Sequence, residues 1–81
     1  MQNINKLSEL EQGRQALILD INSSGDMRRR LQDLGFIKGA DVTCVKKSPL
    51  GDPIAFLIRG AVIALRHEDS SRIQIQCGEV R

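Results

Sequence analysis

Apolar and polar residues alternate along several short stretches of the chain, which is the pattern of half-buried β-strands. In the first stretch, Arg14 to Ile21, one face carries Leu17, Leu19 and Ile21, and the other carries Arg14, Ala16, Ile18 and Asp20. Four more strand-like stretches follow, covering 41–47, 54–59, 61–66 and 73–77. The pattern therefore predicts five short strands.

One stretch has helical periodicity instead. Its apolar residues recur at i, i+4 and i+7 and form one stripe: Met27, Leu31 and Leu34. Ser24 can cap the start of this helix, and Gly35 can end it. We predict a single short helix from Asp26 to Leu34, between the first and second strands. A helix this short is not stable alone, so its stripe is expected to pack on the sheet.

The remaining segments are predicted to be turns. Ser8 and Glu11 fit a single helical turn that Gly13 stops. The polar sequence HEDSSR reads as a bend before the last strand, and the tail from Cys77 to Arg81 is expected to fray. The chain is expected to be one domain over 1–81, with its core at about 7–76.

Five strands and one small helix in 81 residues predict a mainly β fold. The arrangement expected for so many short strands is a small closed, or nearly closed, barrel, since closure removes exposed sheet edges.

Composition narrows the class of protein. The hydrophobic fraction of 41% and charged fraction of 27% are those of a soluble globular domain. A net charge of +2 is too small to attract nucleic acid strongly, and the chain has no Trp or Tyr on which bases would stack. The N-terminus lacks a signal-peptide core, and no apolar run is long enough to insert in a bilayer, so a cytoplasmic location is expected.

No catalytic motif is recognisable. The sequence has no Gly-rich phosphate loop and no H-E-x-x-H, and its one histidine has no identifiable base partner. We therefore expect a protein that is not an enzyme.

Metal-ligating residues are few. Cys44 and Cys77 are expected to be reduced thiols, and their spacing fits no zinc signature. His67 and Glu68, followed by Asp69, are weak metal candidates that could be joined by the thiols if the second and fifth strands were close. A solvated polar turn is the favoured interpretation. No cofactor is expected to be required, and weak binding of a divalent transition metal stays open.

The sequence SPLGDP holds both prolines of the chain. Pro49 suits position i+1 of a turn that starts at Ser48, and Gly51 suits position i+3. Pro53 lacks an N–H and can begin the next strand. The result is a stiff loop, and Leu50 at its tip has no obvious core to enter.

The run Arg28–Arg30 suggests a phosphate patch, but helical spacing offers partners for two of its members. Asp26 precedes Arg30 by four residues, and Arg29 precedes Asp33 by four. Only Arg28 lacks an obvious partner. Since the apolar stripe is needed for packing, a binding partner would contact the flank of the helix at Arg28 and Gln32.

Several motifs occur together in a specific order: RRRLQDLGFIKGADV, then SPLGDPI, then RGAVIALR. In this combination, from about Leu7 to Ile75, the chain resembles the ferrous iron transport protein A (FeoA) family. The resemblance implies an SH3-like barrel, in agreement with the predicted strand count. It also implies a cytosolic accessory protein whose partner is the cytosolic GTP-binding domain of the membrane ferrous iron permease.

With the absence of catalytic motifs, the resemblance implies a non-enzymatic regulator of ferrous iron uptake that binds the permease. The residues expected to contact the partner lie on the helix and around the loop: Arg28, Gln32, Lys46, Lys47, Leu50 and Asp52. Two alternatives stay open, a sensor that binds a transition metal and a small-barrel module that binds nucleic acid.

Overall fold

The computed structural model describes residues 4–77, which form one antiparallel sheet and two short helices. The elements, in chain order, are β1 (Ile4–Lys6), β2 (Gln15–Ile21), α1 (Gly25–Asp33), β3 (Asp41–Lys47), β4 (Ile54–Ile58), β5 (Ala61–Leu65), α2 (His67–Ser70) and β6 (Ile73–Cys77). The four predicted strands that follow the helix are all present, with bounds that differ by a residue at most. No helix among the described residues is long and apolar enough to cross a membrane.

The sheet has six strands in the order β1-β6-β2-β3-β4-β5. The prediction of five strands was therefore wrong by one. β1 was missed because its three residues lack apolar alternation; it is held by its backbone, with Ile4 opposite Gln76 and Lys6 opposite Gln74. β1 and β5 are the two edges, so the sheet is not closed by hydrogen bonding as a complete barrel would be.

One hydrophobic core lies against the sheet. Within residues 4–77 it contains fifteen buried apolar residues, and every strand from β2 to β6 contributes to it. Phe36, which follows α1, packs edge-to-face on Phe56 of β4, with ring centroids 6.4 Å apart. These two rings fix the end of α1 over β4, the strand next to the edge strand β5.

The burial pattern of β2 differs from the prediction. The strand buries Ala16 and Ile18 but then also Ile21, while Leu17 is 40% exposed. The reason is an irregularity in the pairing with β6 between Ile18 and Asp20, which moves the following residues to the opposite face. Strict alternation along the whole strand was therefore the wrong expectation.

Helix α1 occurs one residue earlier than predicted and has the expected stripe. Leu31 is buried, and Met27 and Leu34 are partly buried against the core. The helix ends in a Schellman motif: Gly35 donates its N–H to the Gln32 carbonyl at 3.0 Å, and Phe36 donates to the Leu31 carbonyl at 3.1 Å. Gly35 adopts φ +114, which side chains rarely allow. At the other end, Ser24 is the N-cap residue but makes no side-chain capping bond.

The N-terminal turn is present but is built by other residues than predicted. It covers Leu7–Glu9, and the Glu9 carboxylate accepts the Lys6 N–H at 3.0 Å. Glu11, which was expected with Ser8 to open the turn, instead forms an ion pair with Arg14 at 3.6 Å.

Two predictions concern the C-terminal third. The segment expected to be a bend contains the helical turn α2, whose Ser70 is fully buried and donates its hydroxyl to the His67 carbonyl at 3.0 Å. Of the tail predicted to fray, Cys77 belongs to β6, and 78–81 lie outside the described residues.

Candidate functional site

The loop between β3 and β4 has the predicted turn. Gly51 donates its N–H to the Ser48 carbonyl at 2.7 Å, which closes a four-residue turn with Pro49 and Leu50 in the middle. Ser48 donates its N–H to the Pro53 carbonyl at 3.2 Å, across the base of the loop. The Asp52–Pro53 peptide bond is cis. Two backbone hydrogen bonds thus hold six residues in one shape.

Leu50 is the most exposed large apolar residue of the described chain. Its side chain is 95% accessible to solvent, against 63% or less for the others. An apolar side chain that a stiff turn holds in solvent does not stabilise the fold, because it buries no apolar surface when the protein folds. The prediction that Leu50 has no core to enter is confirmed.

Other parts of the chain also hold the loop. The Asp52 carboxylate accepts the backbone N–H of His67, the first residue of α2, at 3.0 Å. Next to the loop, the Gln12 side-chain oxygen accepts the Lys47 N–H at 3.2 Å. Sequence reasoning missed both contacts, because they join residues 15 and 35 positions apart and no local pattern signals them.

A shallow depression of about 530 Å³ lies beside the loop. Its wall and floor are formed by Ser8, Lys47, Leu50, Gly51, Asp52, Ile54 and His67. Ile54 is only 1% exposed, so the depression has an apolar floor as well as an apolar projection at Leu50. Lys46 is exposed and Lys47 half-buried next to it. The loop therefore presents an apolar anchor with charged groups around it, as protein-binding surfaces do.

Arg28, which was predicted to lack a partner, has partners in the structure. It donates a hydrogen bond to the Ile21 carbonyl at 2.7 Å, and its Nη1 lies 3.4 Å from Asp20 Oδ1. The reason is the position of α1, whose first turn lies over the end of β2. The pairs predicted within the helix, Asp26 with Arg30 and Arg29 with Asp33, are not among the ion pairs formed within residues 4–77.

The six residues predicted to contact a partner divide between two surfaces. Lys46, Lys47, Leu50 and Asp52 lie on or next to the loop, whereas Arg28 and Gln32 line a separate depression with Lys38. The loop set is the more coherent candidate site, because Arg28 already has a structural role.

The metal candidates are not brought together. His67 and Glu68 are both exposed on α2, and the strands of Cys44 and Cys77, β3 and β6, are separated by β2. No group of three or more metal-ligating side chains occurs within residues 4–77.

Burial raises the pKa of the Cys44 thiol above its ordinary value, and the smaller opposing effect of Lys47 does not cancel it.

The open antiparallel sheet, with one short helix between its second and third strands, defines the class first: the chain has an SH3-like fold. This is the fold of FeoA from Stenotrophomonas maltophilia, a structure of the zinc complex described as a prokaryotic SH3 domain protein. The two chains superpose with a TM-score of 0.77 at 31% identity, over 86% of this chain and 87% of that one.

The family follows from the sequence itself. The profile of the FeoA domain matches residues 5–77, and the chain therefore belongs to the FeoA domain family. The FeoA protein of Chlorobium tepidum is 35% identical in its solution structure, with a TM-score of 0.83 over 89% of this chain and 69% of that one.

One curated relative joins two proteins in a single chain. The Fe(2+) transport protein A/Fe(2+) transporter FeoB fusion protein of Porphyromonas gingivalis is 37% identical to this chain over 71 residues. The match covers 88% of this chain but only 8% of the fusion protein. In that relative, a segment similar to most of this chain is thus covalently attached to an iron transporter.

Proposed function

We propose that this protein is a non-enzymatic accessory protein of ferrous iron uptake that acts in the cytoplasm. Its partner is the cytosolic GTP-binding domain of the membrane ferrous iron permease, and it regulates transport by binding there. Family membership and the Porphyromonas fusion support this proposal, since a fused pair of domains is held at high effective concentration.

The observation that carries the proposal is the 95% exposure of Leu50 on a loop whose shape is fixed by hydrogen bonds within it and to helix α2. Binding costs free energy when flexible segments become ordered, and this loop is ordered already. The cost is low here because of the two internal hydrogen bonds and the contact from Asp52 to His67. Leu50 is therefore suited to enter an apolar pocket of the partner.

The charged residues near the loop have a different role. Lys46 and Lys47 precede it, and the Asp52 carboxylate is engaged with the His67 N–H. The site therefore presents positive charge around an apolar tip. Charges at the rim of an interface steer association more than they add affinity, so we assign them to orientation.

The proposal is tested by titrating the purified GTP-binding domain of the permease with the wild-type protein in a calorimeter. A saturable heat at about one-to-one stoichiometry is expected, and this protein alone should not hydrolyse GTP. Ferrous iron uptake is then compared in cells that produce the permease with and without this protein. Absence of binding, together with equal uptake, would contradict the proposal.

Binding of a transition metal is a second candidate function. The observation that favours it is the zinc complex of the Stenotrophomonas relative, which shares 31% identity. His67 and Glu68 would be ligands here, with the remaining positions open to water. Anaerobic titration with Fe²⁺ and Zn²⁺ of the wild type and of His67→Ala tests this; equal, weak heats in both proteins would exclude His67 as a ligand.

A further inference from the structure

Strand β5 has a free backbone edge. The two-residue turn Arg59–Gly60 joins it to β4, and Ala61 pairs with Ile58 next to the turn. In such a hairpin the closing pair and every second pair after it exchange hydrogen bonds. Val62 and Ala64 therefore direct their N–H and C=O groups away from β4. Within residues 4–77 these groups have no other backbone partner.

The sheet face beside this edge is apolar and exposed. Val62 is 63% exposed and lies directly opposite Leu57, which is 40% exposed. The next outward pair is Ala64 with Ala55. A strand added at the edge would place its side chains beside these two cross-strand pairs. Its apolar side chains would therefore cover Val62 and Ala64.

This edge lacks the usual protection. Edge strands of soluble proteins are blunted by charged residues, prolines or shortness, because unpaired backbone invites another strand. β1, the other edge, has only three residues and contains Lys6. β5 has five residues, AVIAL, with no charge and no proline. Its sequence therefore favours strand addition.

Helix α1 does not cover the edge. A depression of about 410 Å³ separates the two, and both apolar and charged residues line it: Met27, Arg30, Leu31 and Leu34 on the helix side, and residues 64–66 with Glu68 and Asp69 on the other. The partly buried Met27 and Leu34 thus face a space next to β5. This space can accept side chains of an added segment.

Two arginines flank strand β5. Arg59 and Arg66 stand at its opposite ends, are both exposed, and take no part in the ion pairs formed within residues 4–77. At the Arg66 end, Glu68 and Asp69 line the same depression and oppose the charge of Arg66.

We infer that the free edge of β5 binds a short extended segment of a partner protein, which adds as a further strand. The segment has alternating apolar residues, which cover Val62 and Ala64, and acidic residues at its ends, which meet Arg59 and Arg66. Main-chain hydrogen bonds supply the affinity and the alternate side chains the selectivity, as in other cases of strand addition. This surface is separate from the Leu50 loop and does not depend on the function assigned to that loop.

The probe is the synthetic peptide DVTVTVE, acetylated and amidated, added to the isotope-labelled protein. We expect saturable binding with a Kd below about 1 mM. The largest amide shifts and the greatest gain in hydrogen-exchange protection should occur at Val62 and Ala64. The same peptide with alternate amides methylated keeps its charge and should bind about three- to tenfold more weakly. Absence of saturation, or equal affinity of the methylated peptide, would overturn the inference.

Variants separate the backbone and charge contributions. Ala64→Pro removes one outward N–H at a position where an edge strand tolerates proline, and it should reduce affinity about three- to tenfold. The double variant Arg59→Gln, Arg66→Gln should bind the acidic peptide about fivefold more weakly, while its affinity for a lysine-ended counterpart should not fall. The control variant Arg72→Gln should bind the acidic peptide as the wild type does.

Two further measurements identify the binding surface and the class of ligand. Leu50→Ala should bind the peptide as the wild type does, so failure of the Leu50 loop proposal can be distinguished from failure of strand addition at β5. A short DNA duplex that shifts the same amides with equal affinity would overturn the assignment to a protein segment, and binding of the peptide alone supports it.

Discussion

The Asp52 carboxylate and the His67 backbone connect the loop between β3 and β4 with helix α2. Oδ1 of Asp52 accepts the His67 N–H at 3.0 Å. The first N–H groups of a helix have no partner inside the helix, and a carboxylate is a favourable one. The contact therefore stabilises α2 and the loop at the same time, which makes them one structural unit.

Replacing Asp52 by alanine should destabilise the protein and loosen the loop. The expected loss is about 0.5–2 kcal/mol of unfolding free energy, the usual cost of removing a side chain that caps a helix. Denaturation in urea measures the loss. Amide hydrogen exchange at Ser48 and Gly51, whose N–H groups are bonded inside the loop, reports the loosening.

His67→Ala is the matched control for this prediction, because it removes the imidazole and keeps the backbone N–H that Asp52 binds. Asn at position 52 retains an accepting oxygen and should recover part of the stability. If Asp52→Ala and His67→Ala unfold at the same urea concentration as the wild type, the contact does not stabilise the fold.

Arg28→Ala should cost about 1 kcal/mol of unfolding free energy. The loss comes chiefly from the hydrogen bond to the Ile21 carbonyl at 2.7 Å, since the ion pair with Asp20 is exposed and such pairs contribute little. Asp20→Asn should therefore be almost neutral in comparison. Urea denaturation of both variants decides between the two contacts.

Arg29→Ala is the control for Arg28, because Arg29 is exposed on the same helix and takes no part in the ion pairs within residues 4–77. Its change in stability should stay below about 0.5 kcal/mol. A loss at Arg29 as large as that at Arg28 would show that the contact with β2 is not responsible, since alanine is itself the strongest helix former.

Because the Cys44 thiol is buried, we predict that the unfolding free energy of the protein falls at alkaline pH. Burial raises the pKa of Cys44 in the folded protein, so the fold favours the protonated thiol. The stabilisation is fully present below the unfolded-state pKa of about 8.5 and is lost as the pH rises through the higher folded-state pKa. Unfolding free energies measured from pH 7 to 10 should fall more steeply for the wild type than for Cys44→Ala. Parallel curves for the wild type and Cys44→Ala would refute the prediction.

Elements with local signals could be predicted from the sequence. The helix was placed within one residue because its stripe and Gly35 act over only a few positions. The turn at Ser48–Gly51 was predicted for the same reason, since Pro49 and Gly51 restrict the backbone directly.

Features that depend on distant pairing could not be predicted. The irregularity in β2 between Ile18 and Asp20 exists only in relation to β6, and β1 is defined by backbone bonds to that same strand. Arg28 has its partners because α1 lies over the end of β2. In each case the decisive neighbour is far away in the sequence or belongs to another element, so no local pattern marks it.

For the candidate site, the sequence predicted the exposed tip but not its support. Leu50 follows Pro49, the second residue of the predicted turn, which indicates exposure. The contacts of Asp52 with His67 and of Lys47 with Gln12 depend on how β3, β4 and α2 pack, and these contacts make the loop rigid.

The most direct test of the proposed function is the affinity of the permease's GTP-binding domain for Leu50→Ala, measured by calorimetry. We expect the variant to bind at least about 1 kcal/mol more weakly, while its thermal unfolding matches the wild type, because the side chain is 95% exposed. Leu17→Ala is the matched control: it removes a partly exposed leucine from β2 and should bind normally. Equal affinity of Leu50→Ala and the wild type would contradict the proposal that this loop binds the permease.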